Sequence, residues 1–236
     1  SDCLVGSEMC IRDSVCPNGT KFTRDRQGFL PELMEKFYDE RRMWKKKMIE
    51  YQVERESCKD AKRRRQLDTL IKRAYNNQQV RKIALNSAYG ALANQYFAFF
   101  SIDLAEAITT SGQLIIQWSE RTINDFMNKT LGTEDEDFVI AMDTDSVYIT
   151  MDKLVQKVLP EETDKGKIID FLNKSEGMFE KVLAEGFDDL AQYTNAFQQK
   201  MEMGREVIAD RGIWTAKKRY ILNVHDNEGV RLAEPK

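Results

Sequence analysis

Asp143-Thr144-Asp145-Ser146 lies between the apolar runs Phe138-Val139-Ile140-Ala141 and Val147-Tyr148-Ile149, a pattern of strand, acidic turn and strand. Strand side chains alternate between faces, so Asp143 and Asp145 are expected to point the same way. Two carboxylates projecting together from a hairpin tip suit a hard divalent cation such as Mg2+, which takes oxygen ligands and keeps waters or phosphates around it. Asp and Ser are also ordinary turn formers, and most such clusters only close hairpins. The metal reading therefore depends on what accompanies the turn.

A second constellation is Lys82, Asn86 and Tyr89, spaced by four and three residues. At about 100° per residue these three share one helix face and converge on one ligand. A single lysine in such a place is more often a solvated surface charge, so this signal too gains weight only from its company.

The elements that must position these groups follow from apolar spacing and breakers. Gly28-Phe29-Leu30-Pro31 leads into a helical pattern with apolar positions at Leu33, Phe37, Met43, Trp44 and Met48, with Pro31 suited to its first turn. A second pattern runs from about Lys59 through Leu67, Leu70, Ile71, Tyr75, Val80, Ile83 and Leu85 to Tyr89-Gly90, and the two basic helices predict an antiparallel hairpin. A third helix is expected over 104–131, with Ile108, Leu114, Ile115, Trp118, Ile123 and Phe126 as its buried stripe and Gly132 as its stop. After the acidic hairpin, a helix from about Asp164 to Tyr193 is broken only by Gly177 and Gly186. The chain closes on a hairpin of 219–225 and 230–233 joined by Asp226-Asn227-Glu228-Gly229, with His225 expected at the surface.

The 236 residues, 42% of them hydrophobic, suffice for a real core. No run approaches the ~18 apolar residues that span a bilayer, and the N-terminus lacks the layout of a signal peptide, so a site inside the cell is expected. Cys3, Cys10, Cys16 and Cys58 form no Cys-x-x-Cys pair and are expected to be free thiols. The net charge of −3 hides a polarity: residues 15–92 carry 19 Lys and Arg against 10 Asp and Glu, and residues 93–236 carry 16 against 26. The basic part suits phosphate and the acidic part can hold metal. Residues 8–14 match what GAG ATG TGT ATA AGA GAC AGN would encode, a string similar to a transposon end used in sequencing libraries. Residues 1–14 are therefore expected to be a non-native leader.

The segment Lys82-Ile83-Ala84-Leu85-Asn86-Ser87-Ala88-Tyr89-Gly90 resembles the K-x-x-x-N-S-x-Y-G motif of family B DNA polymerases, and D-T-D-S matches the family's acidic hairpin. Lys217-Lys218-Arg219-Tyr220 resembles the K-K-R-Y segment that holds the primer end. Arg41-Arg42-Met43-Trp44-Lys45-Lys46-Lys47-Met48 is similar to the fingers helix of T-even bacteriophage replicative enzymes. Order and spacing fit that group across residues 15–236. The resemblance implies an α+β fold, with two-helix antiparallel fingers over 15–92 on a partial palm over 93–236 whose antiparallel sheet carries the acidic hairpin.

By the same resemblance, Arg41, Lys45 and Lys82 bind the triphosphate of a dNTP, the Arg as a planar fork and the lysines as point charges. Asn86 and Tyr89 line the nascent base pair. Asp145 is the direct ligand of Mg2+, two ions serving the complete site; Asp143 tunes coordination, and Glu206 is a weaker ligand candidate. Lys217, Lys218, Arg219 and Tyr220 hold primer-template DNA. The catalytic set is thus Asp145, Asp143 and Lys82. A further family motif, D-x-x-S-L-Y-P-S, carrying a second metal-binding aspartate, is expected before residue 15. Exonuclease, the rest of the palm, thumb and a sliding clamp are the implied partners, and the cytoplasm of an infected bacterium the implied location. This fragment alone is expected to show no primer extension.

Two other classes compete. A glycosyltransferase with a D-x-D metal site accounts for the hairpin but not for the basic helices or K-K-R-Y. A non-catalytic nucleic-acid-binding module accounts for the basic helices but leaves Asp145 idle.

Overall fold

The structure, a computed structural model, describes residues 13–227 and 229–232. Its elements in chain order are β1 (Ser14–Val15), β2 (Lys21–Phe22), α1 (Phe29–Ser57), α2 (Ala61–Leu92), α3 (Ile102–Leu131), β3 (Val139–Asp143), β4 (Ser146–Ile149), α4 (Asp152–Val158), α5 (Lys165–Tyr193), β5 (Val207–Ala216), β6 (Arg219–Asn227) and β7 (Val230–Arg231). They form two compact units, one of residues 18–109 and one of residues 110 onward with the segment before residue 18. The mixture of long helices with small antiparallel sheets agrees with the α+β expectation. Cys16 and Cys58 are free thiols. Cys3, Cys10 and most of the expected leader lie outside the described residues. Of that leader, Asp13 and Ser14 are described: the Asp13 carbonyl accepts from Asn195 Nδ2 at 3.0 Å, and the next residue, Val15, donates its N–H to Thr194 O at 3.0 Å.

In the unit of residues 18–109, α1 and α2 form the expected antiparallel hairpin. Asp60 caps α2, its side chain accepting from Lys62 N at 2.9 Å. Ion pairs of Glu40 with Arg81 at 2.6 Å, Glu54 with Arg63 at 2.7 Å, and Arg55 with Asp68 tie the helices at successive levels. Such half-exposed pairs fix register more than they add stability, each contributing roughly 0–1 kcal/mol. Leu67, Ala74 and Gln78 are the buried residues along α2 before its last turn, whereas α1 buries no residue fully. Tyr75, Val80 and Ile83 of the apolar pattern are exposed instead. Phe99 meets Phe29 at 5.5 Å and Phe97 at 5.7 Å, which pins the loop after α2 to the start of α1.

The second unit has its core where α3, β3, α4 and α5 meet, in Ile123, Met127, Phe138, Val139, Leu154, Leu183 and Phe187. The α3 stripe follows the expected one at Ile115, Ile123 and Phe126, which lie in or against the core, but Ile108 is 45% exposed and Ala107, Ser119 and Met127 are buried as well. At Gly186 a Cβ would lie 2.7 Å from Thr122 Oγ1, so this glycine is a helix contact rather than a break in α5. Gly132, at φ +73°, ends α3 as expected, and Asp164 caps α5 through Gly166 N at 2.8 Å.

The sheets differ from a single palm sheet. Among the described residues the acidic hairpin β3–β4 is a two-stranded sheet of its own, and β5–β6–β7 form a separate antiparallel one. The expected closing hairpin of 219–225 and 230–233 is present as β6 and β7, whereas β5, which pairs with β6 in a long ribbon, and the short helix α4 carried no clear signal in the sequence. Asp226, expected in a turn, is instead 1% exposed inside β6. Burial pushes its carboxyl up, but the hydrogen bond and charge of Arg205 at 2.6 Å outweigh this, helped by Asn173 and Gly229 N, and hold it below the usual range. His225 is likewise no surface residue: its side chain is 15% exposed and Nε2 sits 3.1 Å from Asp210 Oδ1.

Candidate functional site

In the second unit, the chemistry gathers at two hairpin tips. β3 and β4 pair up to Asp143 opposite Ser146, leaving Thr144 and Asp145 as the turn. Asp145 is therefore a turn residue, and strand alternation does not govern its direction as expected; only Asp143 lies on a strand. The turn is tightened by Asp145 N–H donating to Asp143 O at 2.6 Å and Thr144 Oγ1 donating to Asp143 Oδ1 at 3.0 Å. Asp143 is half-buried and Asp145 exposed. Thr144 adopts φ +56°, a left-handed conformation costly for a β-branched residue where glycine would be at ease. Strain of this kind persists only where the surrounding structure holds the residue in place.

Asparagines on α3 set the entry to this hairpin. Asn124 Oδ1 accepts from Phe138 N at 2.9 Å, and its Nδ2 donates to Asp137 Oδ1 at 2.9 Å. One helical turn later, Asn128 donates to Glu136 O at 2.8 Å and accepts from Glu136 N at 3.1 Å and Thr133 Oγ1 at 2.6 Å. Sequence reasoning missed this pair, although Asn at i and i+4 ahead of a turn was visible. Asn128→Ala strands these loop groups and is expected to lower unfolding free energy by about 2 kcal/mol, read as a shifted denaturation midpoint. An unchanged midpoint would show that the apolar core alone places β3.

The second tip is Lys217-Lys218, between Ala216 and Arg219, closed by Thr215 Oγ1 donating to Arg219 O at 3.2 Å. Lys218 is also left-handed, at φ +62°. Lys217, Lys218, Arg219 and Tyr220 are all exposed. Between the tips stands Tyr148, whose ring lies 5.5 Å from that of Tyr220 and 5.4 Å from that of Trp214. Burial first, then a hydrogen bond to Tyr220, then the charges of Asp143 and Glu206 push the Tyr148 phenol above its ordinary range. The structure thereby brings Glu206 and Asp143 into one electrostatic neighbourhood. Among the described residues no cluster of three or more His, Cys, Asp or Glu side chains forms a closed metal cage. An open set of carboxylates on a tight turn fits Mg2+, which dehydrates reluctantly and completes its shell with water and phosphate.

In the unit of residues 18–109, Lys82, Asn86 and Tyr89 are exposed along α2 as their spacing requires. The Glu40–Arg81 pair sets their chain neighbours Arg41 and Lys82 at one level of the hairpin. Lys45 is exposed one turn further along α1. Arg41 is half-buried, and its covered Nε has no hydrogen-bond partner among the described residues. Trp44 braces the level, with Lys47 5.0 Å and Arg81 6.0 Å from its ring.

Comparison with known proteins gives one consistent picture. The pattern of DNA polymerase family B matches residues 6–160. The chain is 34% identical over 269 residues to the DNA-directed DNA polymerase of Enterobacteria phage T4, covering 94% of this chain and 30% of that protein. It is 34% identical over 270 residues to the DNA-directed DNA polymerase of Escherichia phage RB69, with the same two shares. A DNA polymerase of Pyrococcus glycovorans is 28% identical over 227 residues, covering 95% of this chain and 23% of that protein. The chain thus spans about 30% of the length of its phage relatives.

Proposed function

The chain belongs to DNA polymerase family B, and on that premise we propose that it carries the nucleotide-binding fingers and part of the metal-bearing palm of a DNA-directed DNA polymerase. Residues 15–92 act as fingers and 93–236 as palm. The observation that carries this reading is the strained acidic turn, with the Asp143 and Glu206 charges both felt at Tyr148. Asp145, Asp143 and Glu206 would hold Mg2+. When bound, the ions acidify the primer 3′-hydroxyl and neutralise charge on the triphosphate and its pyrophosphate leaving group.

The chain's own groups supply the rest. Arg41, Lys45 and Lys82 grip the triphosphate of the dNTP, Arg41 through its guanidinium fork and the exposed lysines as point charges. Asn86 and Tyr89 present a flat, weakly polar face to the nascent pair, where shape discriminates. Lys217, Lys218 and Arg219 hold primer-template phosphates, and Tyr220 lies against the minor groove, whose degenerate pattern suits a grip independent of sequence. The setting is the cytoplasm of a phage-infected bacterium, with exonuclease, thumb and sliding clamp as companions. No helix among the described residues is long and apolar enough to cross a membrane.

Binding of a primer-template duplex measured against salt tests this assignment. Three phosphate contacts give a slope of log K against log salt near −3, and removing Lys217 and Lys218 together should make it shallower by about 2. A chain without salt-dependent duplex affinity would contradict the reading, and an unchanged slope in the double variant would remove the ribbon tip from the DNA.

A further inference from the structure

Tyr148 has no part in the roles assigned above, yet it lies on the acidic hairpin and packs against rings next to the ribbon tip. It lies on β4 opposite Ala141, beyond the acidic turn. Its ring meets Trp214 edge-on at 5.4 Å and Tyr220 at 5.5 Å, and Trp214 stacks on Tyr220 at 6.4 Å. Trp214 and Tyr220 pair across the ribbon just before its Lys217-Lys218 tip. Trp214 is seated over Gly212, where a Cβ would come within 2.6 Å of the ring. The hairpin and the ribbon share no backbone ladder. Three rings therefore join them, each ring contact contributing about 0.5–1.5 kcal/mol beyond area.

We infer that Tyr148 is a positioning residue that couples the acidic turn to the ribbon tip, so that metal held at the turn and duplex held at the tip strengthen one another. The inference rests on the polymerase reading of both tips. Coupling needs an element whose position both ligands bias, and the Tyr148–Trp214–Tyr220 cluster packs β4, the strand that leaves the acidic turn, against the ribbon beside its tip.

The test is duplex affinity of the chain with and without Mn2+ at constant ionic strength, with Asp145→Asn as the background for metal acting elsewhere. Mn2+ is expected to tighten duplex binding about 10-fold, and duplex to tighten Mn2+ binding by the same factor. Tyr148→Leu removes the ring that packs on the ribbon. It should cut the factor below about 3 while leaving metal-free duplex affinity near that of the parent. Trp214→Leu removes a ring on the ribbon side and should cut the factor equally, the double variant losing no more than either single one. That second variant keeps the test decisive if Tyr148→Leu misfolds. An undiminished factor in the ring variants, or a parent chain that binds both ligands without coupling, overturns the inference alone. A parent chain that binds neither Mn2+ nor duplex overturns the polymerase reading beneath it.

Discussion

Asp145→Asn is expected to lower templated incorporation by a polymerase containing this segment about 10³-fold, with metal-free duplex affinity changed less than about twofold. Asparagine preserves shape, and the exposed turn depends on the backbone N–H of residue 145 rather than on its side chain, so the fold should survive. What is lost is one anionic oxygen ligand at the point where charge develops in the transition state. The effect should fall on kcat more than on the KM for dNTP, since the interaction strengthens only as the triphosphate is cleaved. If the segment were only a nucleic-acid-binding module, the substitution would change nothing. If it served a sugar transferase, nucleotide-sugar turnover and not primer extension would respond.

Lys82→Ala is the second large effect, about 10² in incorporation, comparable to losing one electrostatic donor to the transition state. Lys82 is exposed and makes no ion pair among the described residues, so its removal should leave the melting temperature within a degree or two of the parent. Neighbouring Arg81 provides the contrast. It pairs with Glu40 at 2.6 Å and lies over Trp44, so Arg81→Ala should loosen the helical hairpin as a whole. Single-turnover kinetics at saturating duplex separate the two cases. An unchanged rate in Lys82→Ala would take that residue out of the triphosphate site.

Long elements were legible in the sequence because their signals are local and repeated. The helices around Leu67, Ile123 and Leu183 carry many turns of apolar spacing, and Gly132 and Asp164 mark their ends by backbone freedom and capping chemistry. The acidic hairpin was legible because apolar runs flank a four-residue polar turn. What escaped depends on partners distant in the chain. Asp226 looks like a turn residue until Arg205 is placed beside it, and His225 looks exposed until Asp210 is. The same holds for Tyr148, an unremarkable strand residue by period, whose role comes from rings 66 and 72 positions away. Strand alternation does not apply to the Asp143–Asp145 pair for a local reason: Asp145 sits in a two-residue turn, where the alternation that strands impose has ended.

The measurement closest to the central claim offers each of the four dNTPs singly, with Mg2+, to a polymerase containing this segment on primers that present each of the four template bases. The account predicts that only the complementary nucleotide is added to the primer 3′ end, and that chelation of the metal stops addition. Incorporation indifferent to the template base, or undiminished without a divalent cation, would contradict it.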